Sequence, residues 1–82
     1  MDSRPDLTAF VIEAVQQLVR DKGGKVPAMG EDSSLVDGSI GIDSLDLAVV
    51  VVRLQERTGK DPFSQGFVGF STVRQLVDLY AR

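Results

Sequence analysis

The sequence predicts a small all-α domain of three main helices joined by one long loop, and three observations predict it. Apolar residues recur at spacings of three and four in three separate stretches. Each stretch opens on a Ser or Asp suited to capping, and the first two close on glycine. With 82 residues, 43% of them apolar and 26% charged, the chain fits one folded domain spanning residues 1–82 and leaves no room for a second.

The first helix is expected from Asp6 to Lys22, where Leu7, Phe10, Val11, Ala14, Leu18 and Val19 alternate with Glu13, Gln16, Gln17 and Arg20. Pro5 falls in its first turn, where a missing N–H costs nothing, Ser3 can cap it, and Gly23-Gly24 ends it. From Gly23 to Ile42 there are five glycines, Pro27 and no sustained period, yet Val26, Leu35, Val36, Ile40 and Ile42 are spread through the segment. Those aliphatics predict a loop packed by its own side chains.

The second helix is expected from Ser44 to about Thr58, started by Asp43 and Asp46 and stopped by Gly59 and Pro62. The run Val49–Val52 also suits a strand, but the span is too long for one buried strand in so short a chain. The last helix is expected to start at Ser71, whose hydroxyl can cap Val73 or Arg74, and to bury Val73, Leu76, Val77 and Tyr80. Between them Phe63, Phe67 and Phe70 sit in a segment without charge, where one short helical turn fits at most.

Composition removes several functions. There is no histidine and no cysteine, so the chain has no Ser-His-Asp triad, no thiol nucleophile, no disulfide and no thiolate zinc site. A net charge of −3 is opposite to what binding a phosphate backbone requires, so no nucleic-acid partner is expected. Met1-Asp2-Ser3-Arg4-Pro5 does not look like a targeting peptide, and no apolar run is long enough to span a membrane. The absence of cysteine suits a reducing cytoplasm. Glu31, Asp32, Asp37 and Asp43 make the loop acidic without a local base, but their spacing is not that of a calcium loop, and no metal is expected.

On a helical wheel the second helix has two apolar stripes. Leu47, Val50, Val51, Leu54 and Thr58 share one face, Leu45, Ala48, Val49 and Val52 share another, and Asp46, Arg53 and Arg57 lie between. Either the core wraps around the helix and buries both, or the second stripe meets a partner or an apolar ligand.

Gly41-Ile42-Asp43-Ser44-Leu45-Asp46 resembles the Gly-x-Asp-Ser-Leu pattern that heads the second helix of acyl carrier proteins, and Gly59-Lys60-Asp61-Pro62 and Phe70-Ser71-Thr72-Val73 match the family's later segments at the right distances. The resemblance implies an acyl-carrier-like four-helix bundle whose third helix is short or irregular. It implies 4'-phosphopantetheine esterified to Ser44, with Asp43 and Leu45 as motif neighbours, and acyl or aminoacyl groups carried as thioesters on the cofactor's thiol. The protein then has no catalytic residue of its own. Its partners are a phosphopantetheinyl transferase, a loading ligase, and the synthases and acyltransferases of fatty-acid, other lipid or secondary metabolism, which it meets as a monomer. Leu45, Asp46, Ala48, Val49, Val52, Arg53 and Glu56 are the expected docking residues. A serine in a first helical turn independently suits an added phosphate, because unsatisfied N–H groups and the helix dipole favour negative charge there.

The chain departs from the resemblance in two places. Arg53, Arg57, Val49 and Val52 replace part of the usual acidic face, which implies more apolar docking, unless the arginines form only a solvated face. The phenylalanine segment replaces a short acidic helix; its rings either plug the core or form an altered acyl pocket or partner surface. Two other readings stay open: an unmodified helical interaction module using Leu45, Val49 and Val52, and a peptidyl carrier, which Ile42 in place of a second glycine disfavours.

Overall fold

Ser3 and Asp6 cap the first helix reciprocally: the Ser3 hydroxyl accepts from the Asp6 N–H, and the Asp6 carboxylate accepts from the Ser3 N–H, both at 3.3 Å. This box starts α1 at Arg4 and carries it to Asp21, two residues earlier than the apolar period alone suggests, because Pro5 is tolerated inside the first turn. The helix stops in a Schellman motif. The Gly23 N–H donates to Arg20 and the Gly24 N–H to Val19, each at 3.0 Å, with Gly23 at φ +78°.

The computed structural model describes residues 3–38, 40–64, 66 and 69–81. Within them α2 runs from Ser44 to Thr58 and α3 from Val73 to Tyr80. Gly59 ends α2 in the left-handed region at φ +71°, as its sequence position predicts. The fold is all-α, with three helices and no strand among the described residues. Residues 62–64 form a turn rather than a further helix, and Phe67 lies outside the described residues.

α1 is the central element, packing against both α2 and α3. Leu7, Val11 and Val15 from α1 meet Val50 and Leu54 from α2 and Val73, Leu76, Val77 and Tyr80 from α3, and all of these are 0–1% exposed. Val15 and Leu79 belong to this core although the sequence reading did not include them. The long loop adds Leu35, Ile40 and Ile42, so it packs largely as expected, with Val26 only half-buried outside that core and Val36 53% exposed. Burial of these side chains at roughly 25 cal/mol per Å² is the main favourable contribution in so small a chain. Among the described residues no polar or charged residue is buried.

The start of α3 corrects one expectation. Its cap is Thr72, whose hydroxyl accepts from the Gln75 N–H at 3.2 Å, while the Gln75 side-chain oxygen accepts from the N–H groups of Ser71 and Thr72 at 2.6 and 3.3 Å. Ser71 is held one residue outside the helix because its carbonyl accepts from the Leu35 N–H at 2.7 Å and Thr72 pairs with Ser34 in an isolated antiparallel bridge. A backbone held extended there cannot be the first helical turn. The loop therefore lies across the head of α3 like a short strand.

Candidate functional site

Ser44 is the first residue of α2, and its neighbours build the turn around it. The Asp43 carboxylate accepts from the Asp46 N–H at 3.0 Å, and the Asp46 carboxylate accepts from the Asp43 N–H at 3.1 Å. Asp43 is thus the cap that its position predicts, and the box fixes the first turn without using the Ser44 hydroxyl. Ser44 is exposed. None of the described hydrogen bonds uses the N–H of Ser44 or Leu45, so two donors at the positive end of the helix are left without a described partner beside the serine.

Two apolar surfaces meet at Ser44. On one side of α2 an open groove of about 650 Å³ is lined by Ser44, Leu47, Ala48, Val51, Val52 and Gln55 from the helix, and by Val36, Phe63, Gly66 and Phe70 opposite. Phe63 and Phe70 are tilted against each other at 6.1 Å between centroids, and both are half-buried against the core. Phe63 and Phe70 thus pack against the core and also line the groove. On the outer side of α2, Leu45, Val49 and Val52 are 77%, 39% and 50% exposed. The second stripe is not wrapped by the core.

Charge is arranged differently from the sequence expectation. The loop acids are compensated from distant positions: Arg74 pairs with Glu31 at 3.0 Å and Asp32 at 3.1 Å, and Lys22 lies 3.8 Å from Asp43. The Lys22 ammonium also pairs with the Asp46 carboxylate, which is only 13% exposed. Hydrogen bonding to Lys22 holds the Asp46 carboxyl below the usual aspartate range, and the same bond raises Lys22 above the usual lysine value. Asp46 is thus engaged within the fold, unlike the outward-facing Leu45, Ala48, Val49, Val52, Arg53 and Glu56. Arg57 lies over the Phe10 ring at 4.9 Å and ties α2 to α1, whereas Arg53 is exposed and shares a surface cleft with Phe10 and Glu13. No cluster of potential metal ligands occurs among the described residues.

A phosphate ester fits this turn: the serine is exposed, two N–H groups beside it are open, and the adjoining groove is apolar. A family model agrees. It describes the phosphopantetheine attachment site and matches residues 13–80. The chain belongs to that family. It is a carrier domain that bears 4'-phosphopantetheine on a serine, a tethering domain rather than a catalyst. Neither curated proteins nor solved structures yielded a match. When bound, the arm supplies a thiol for carrying a cargo, which this cysteine-free carrier domain lacks. No helix among the described residues is long and apolar enough to cross a membrane.

The sequence reading missed three contributors to the carrier domain's site. In the sequence Lys22 marks only the end of the first helix and Val36 only loop packing, and Gln55 is not singled out at all. Their roles depend on what the fold brings opposite them, and only the exposed aliphatic in a loop just before the Asp-Ser-Leu segment left a local signal.

Proposed function

We propose that this carrier domain holds acyl intermediates on a phosphopantetheine arm attached to Ser44, serving a specialised lipid or secondary-metabolite pathway. The observation that carries the reading is the position of Ser44: exposed at the first turn of α2 and at the same time part of the wall of the apolar groove. A chain tethered at that point can fold back between Val51, Phe63 and Phe70 without leaving the domain, and the groove offers an acyl group far more apolar contact than an aminoacyl group could use.

The outer stripe of α2 gives the domain its docking face. Leu45, Ala48, Val49 and Val52 supply apolar contact, with Arg53 and Glu56 at its edge. A phosphopantetheinyl transferase, a loading ligase and acyl-transferring synthases would meet the domain there, with shape and apolar burial weighing more than long-range charge.

Intact mass after incubation with coenzyme A and a broad-specificity phosphopantetheinyl transferase tests the attachment. The wild-type chain gains one phosphopantetheine and Ser44→Ala gains nothing. An equal gain in Ser44→Ala would move the site elsewhere. For the cargo, methyl and ring signals of Val51, Phe63 and Phe70 should shift when an acyl arm replaces the bare arm; unchanged signals would remove the groove from the reading.

A further inference from the structure

We propose that Lys22 is the counter-charge of the modified serine, a positioning residue that keeps the head of α2 intact once Ser44 carries its phosphodiester. The inference rests on the assignment of Ser44 as the modified residue. It starts from how the chain places this lysine. The Schellman turn at Gly23-Gly24 ends α1 at Asp21, and Lys22 is left as the capping residue with its side chain directed across to the start of α2. There the ammonium pairs with Asp46 and lies 3.8 Å from Asp43, the two members of the capping box that flank Ser44.

Before modification the turn holds two carboxylates and one ammonium. Modification fixes a third anion on the residue between Asp43 and Asp46. All three negative groups then lie well within a Debye length of one another, about 8–10 Å at ordinary ionic strength, where screening is weak. The helix dipole and the open N–H groups of Ser44 and Leu45 favour the new charge, but they do nothing to relieve the repulsion within the box. Lys22 is the cation that the described residues place against both carboxylates. Removing it leaves three like charges on one turn, and the cheapest response is for a carboxylate to swing out and open the box.

A lysine that merely braced α1 against α2 would stabilise the unmodified and modified forms equally. A counter-charge stabilises the modified form more. The two roles separate in a cycle of melting temperatures measured on unmodified and modified protein at low salt, for wild type, Lys22→Met and Lys22→Arg. The expected result is that modification lowers the melting temperature of Lys22→Met by about 2–4 °C more than that of wild type, the scale of a partly exposed ionic network in a domain this size. Lys22→Arg should behave as wild type, and the extra loss should shrink in 0.5 M salt.

An equal effect of modification in wild type and Lys22→Met would overturn the proposal, as would an extra loss that is insensitive to salt. The masses of the same samples keep the underlying assignment separate. Modification that persists in Ser44→Ala would strike the site itself, whereas modification confined to Ser44 with no extra loss in Lys22→Met would strike the lysine's role alone.

Discussion

The heads of α2 and α3 are built from the same device and end up as opposites. Each has a reciprocal capping box, Asp43 with Asp46 and Thr72 with Gln75. At α3 the loop then covers what the box leaves open: the Val73 N–H donates to the Ser33 carbonyl at 3.1 Å and the Arg74 N–H to the Glu31 carbonyl at 2.9 Å. At α2 no described segment does this, and the corresponding donors of Ser44 and Leu45 have no described partner. A cap therefore does not by itself distinguish the two helix starts. What distinguishes them is the strap over the head of α3 and, at α2, an exposed hydroxyl in the first turn.

The strap is where the comparison breaks most readily. Leu35 anchors it at 1% exposure, and Leu35→Ala should cost about 2–5 kcal/mol, a large share of the stability of so small a domain. Hydrogen exchange should locate part of that loss, with the amides of Val73 and Arg74 losing protection beyond the global change. If only global stability falls and those two amides follow it, the strap is not what closes the head of α3.

Removing each cap gives a smaller and more discriminating effect. Thr72→Ala and Asp43→Ala should each cost about 1 kcal/mol in chemical unfolding. Only Asp43→Ala should also slow modification of Ser44, because only there does the cap orient an accessible serine. Equal modification rates in the two variants would show that the Asp43 box does not present Ser44.

The difference between the two heads was half legible in the sequence. Asp43, Ser44 and Gly59 state the limits of α2 locally, and the two stripes, Leu47-Val50-Val51-Leu54 and Leu45-Ala48-Val49-Val52, follow from helical spacing alone. The cap of α3 is written locally too, since Thr72 has Gln75 three residues on, a capping-box pattern that Ser71 followed by Arg74 lacks. What is not legible is the strap over it, the Ser34 bridge and the Leu35 N–H, which come from about 37 residues away in the chain. The same holds for charge: Glu31 and Asp32 look uncompensated until the fold brings Arg74 to them. Local chemistry is written in neighbouring residues, whereas coverage and charge pairing are properties of the folded contact.

A fourth variant separates the head of α3 from its far end. Tyr80 is fully buried, its hydroxyl lies near Gln55 but makes no hydrogen bond of good geometry among the described residues, and burial, with the Asp61 charge, pushes its pKa up to about 12. Tyr80→Phe should leave stability at neutral pH unchanged or raise it by up to about 1 kcal/mol, since an unpaired buried hydroxyl is removed. Because the folded pKa is the higher one, the wild-type phenol contributes stability below its unfolded value near 10 and loses it as pH rises toward 12. Tyr80→Phe should lack that alkaline loss. A variant that loses stability as steeply as wild type above pH 10 would assign the loss to other groups.

The smallest effect sets the two heads directly against each other through pH. Asp46 has a depressed pKa in the folded chain, so its contribution is present above the unfolded aspartate value near 3.9 and disappears as pH falls through the lower folded value. Lys22 has a raised pKa, so its share is complete below about 10.4 and is lost as pH rises beyond that. The stability difference between wild type and Lys22→Met should accordingly be flat across neutral pH and close at both extremes. At α3 the covering backbone bonds do not titrate, but the Arg74 pairs with Glu31 and Asp32 beside them do, so in an Arg74→Met background the protection of the Val73 amide relative to global stability should stay constant while the Lys22 difference closes in acid. If both heads loosen together as pH falls toward 3, the ionic pair is not the local hold on α2, and its acid response belongs to the domain as a whole.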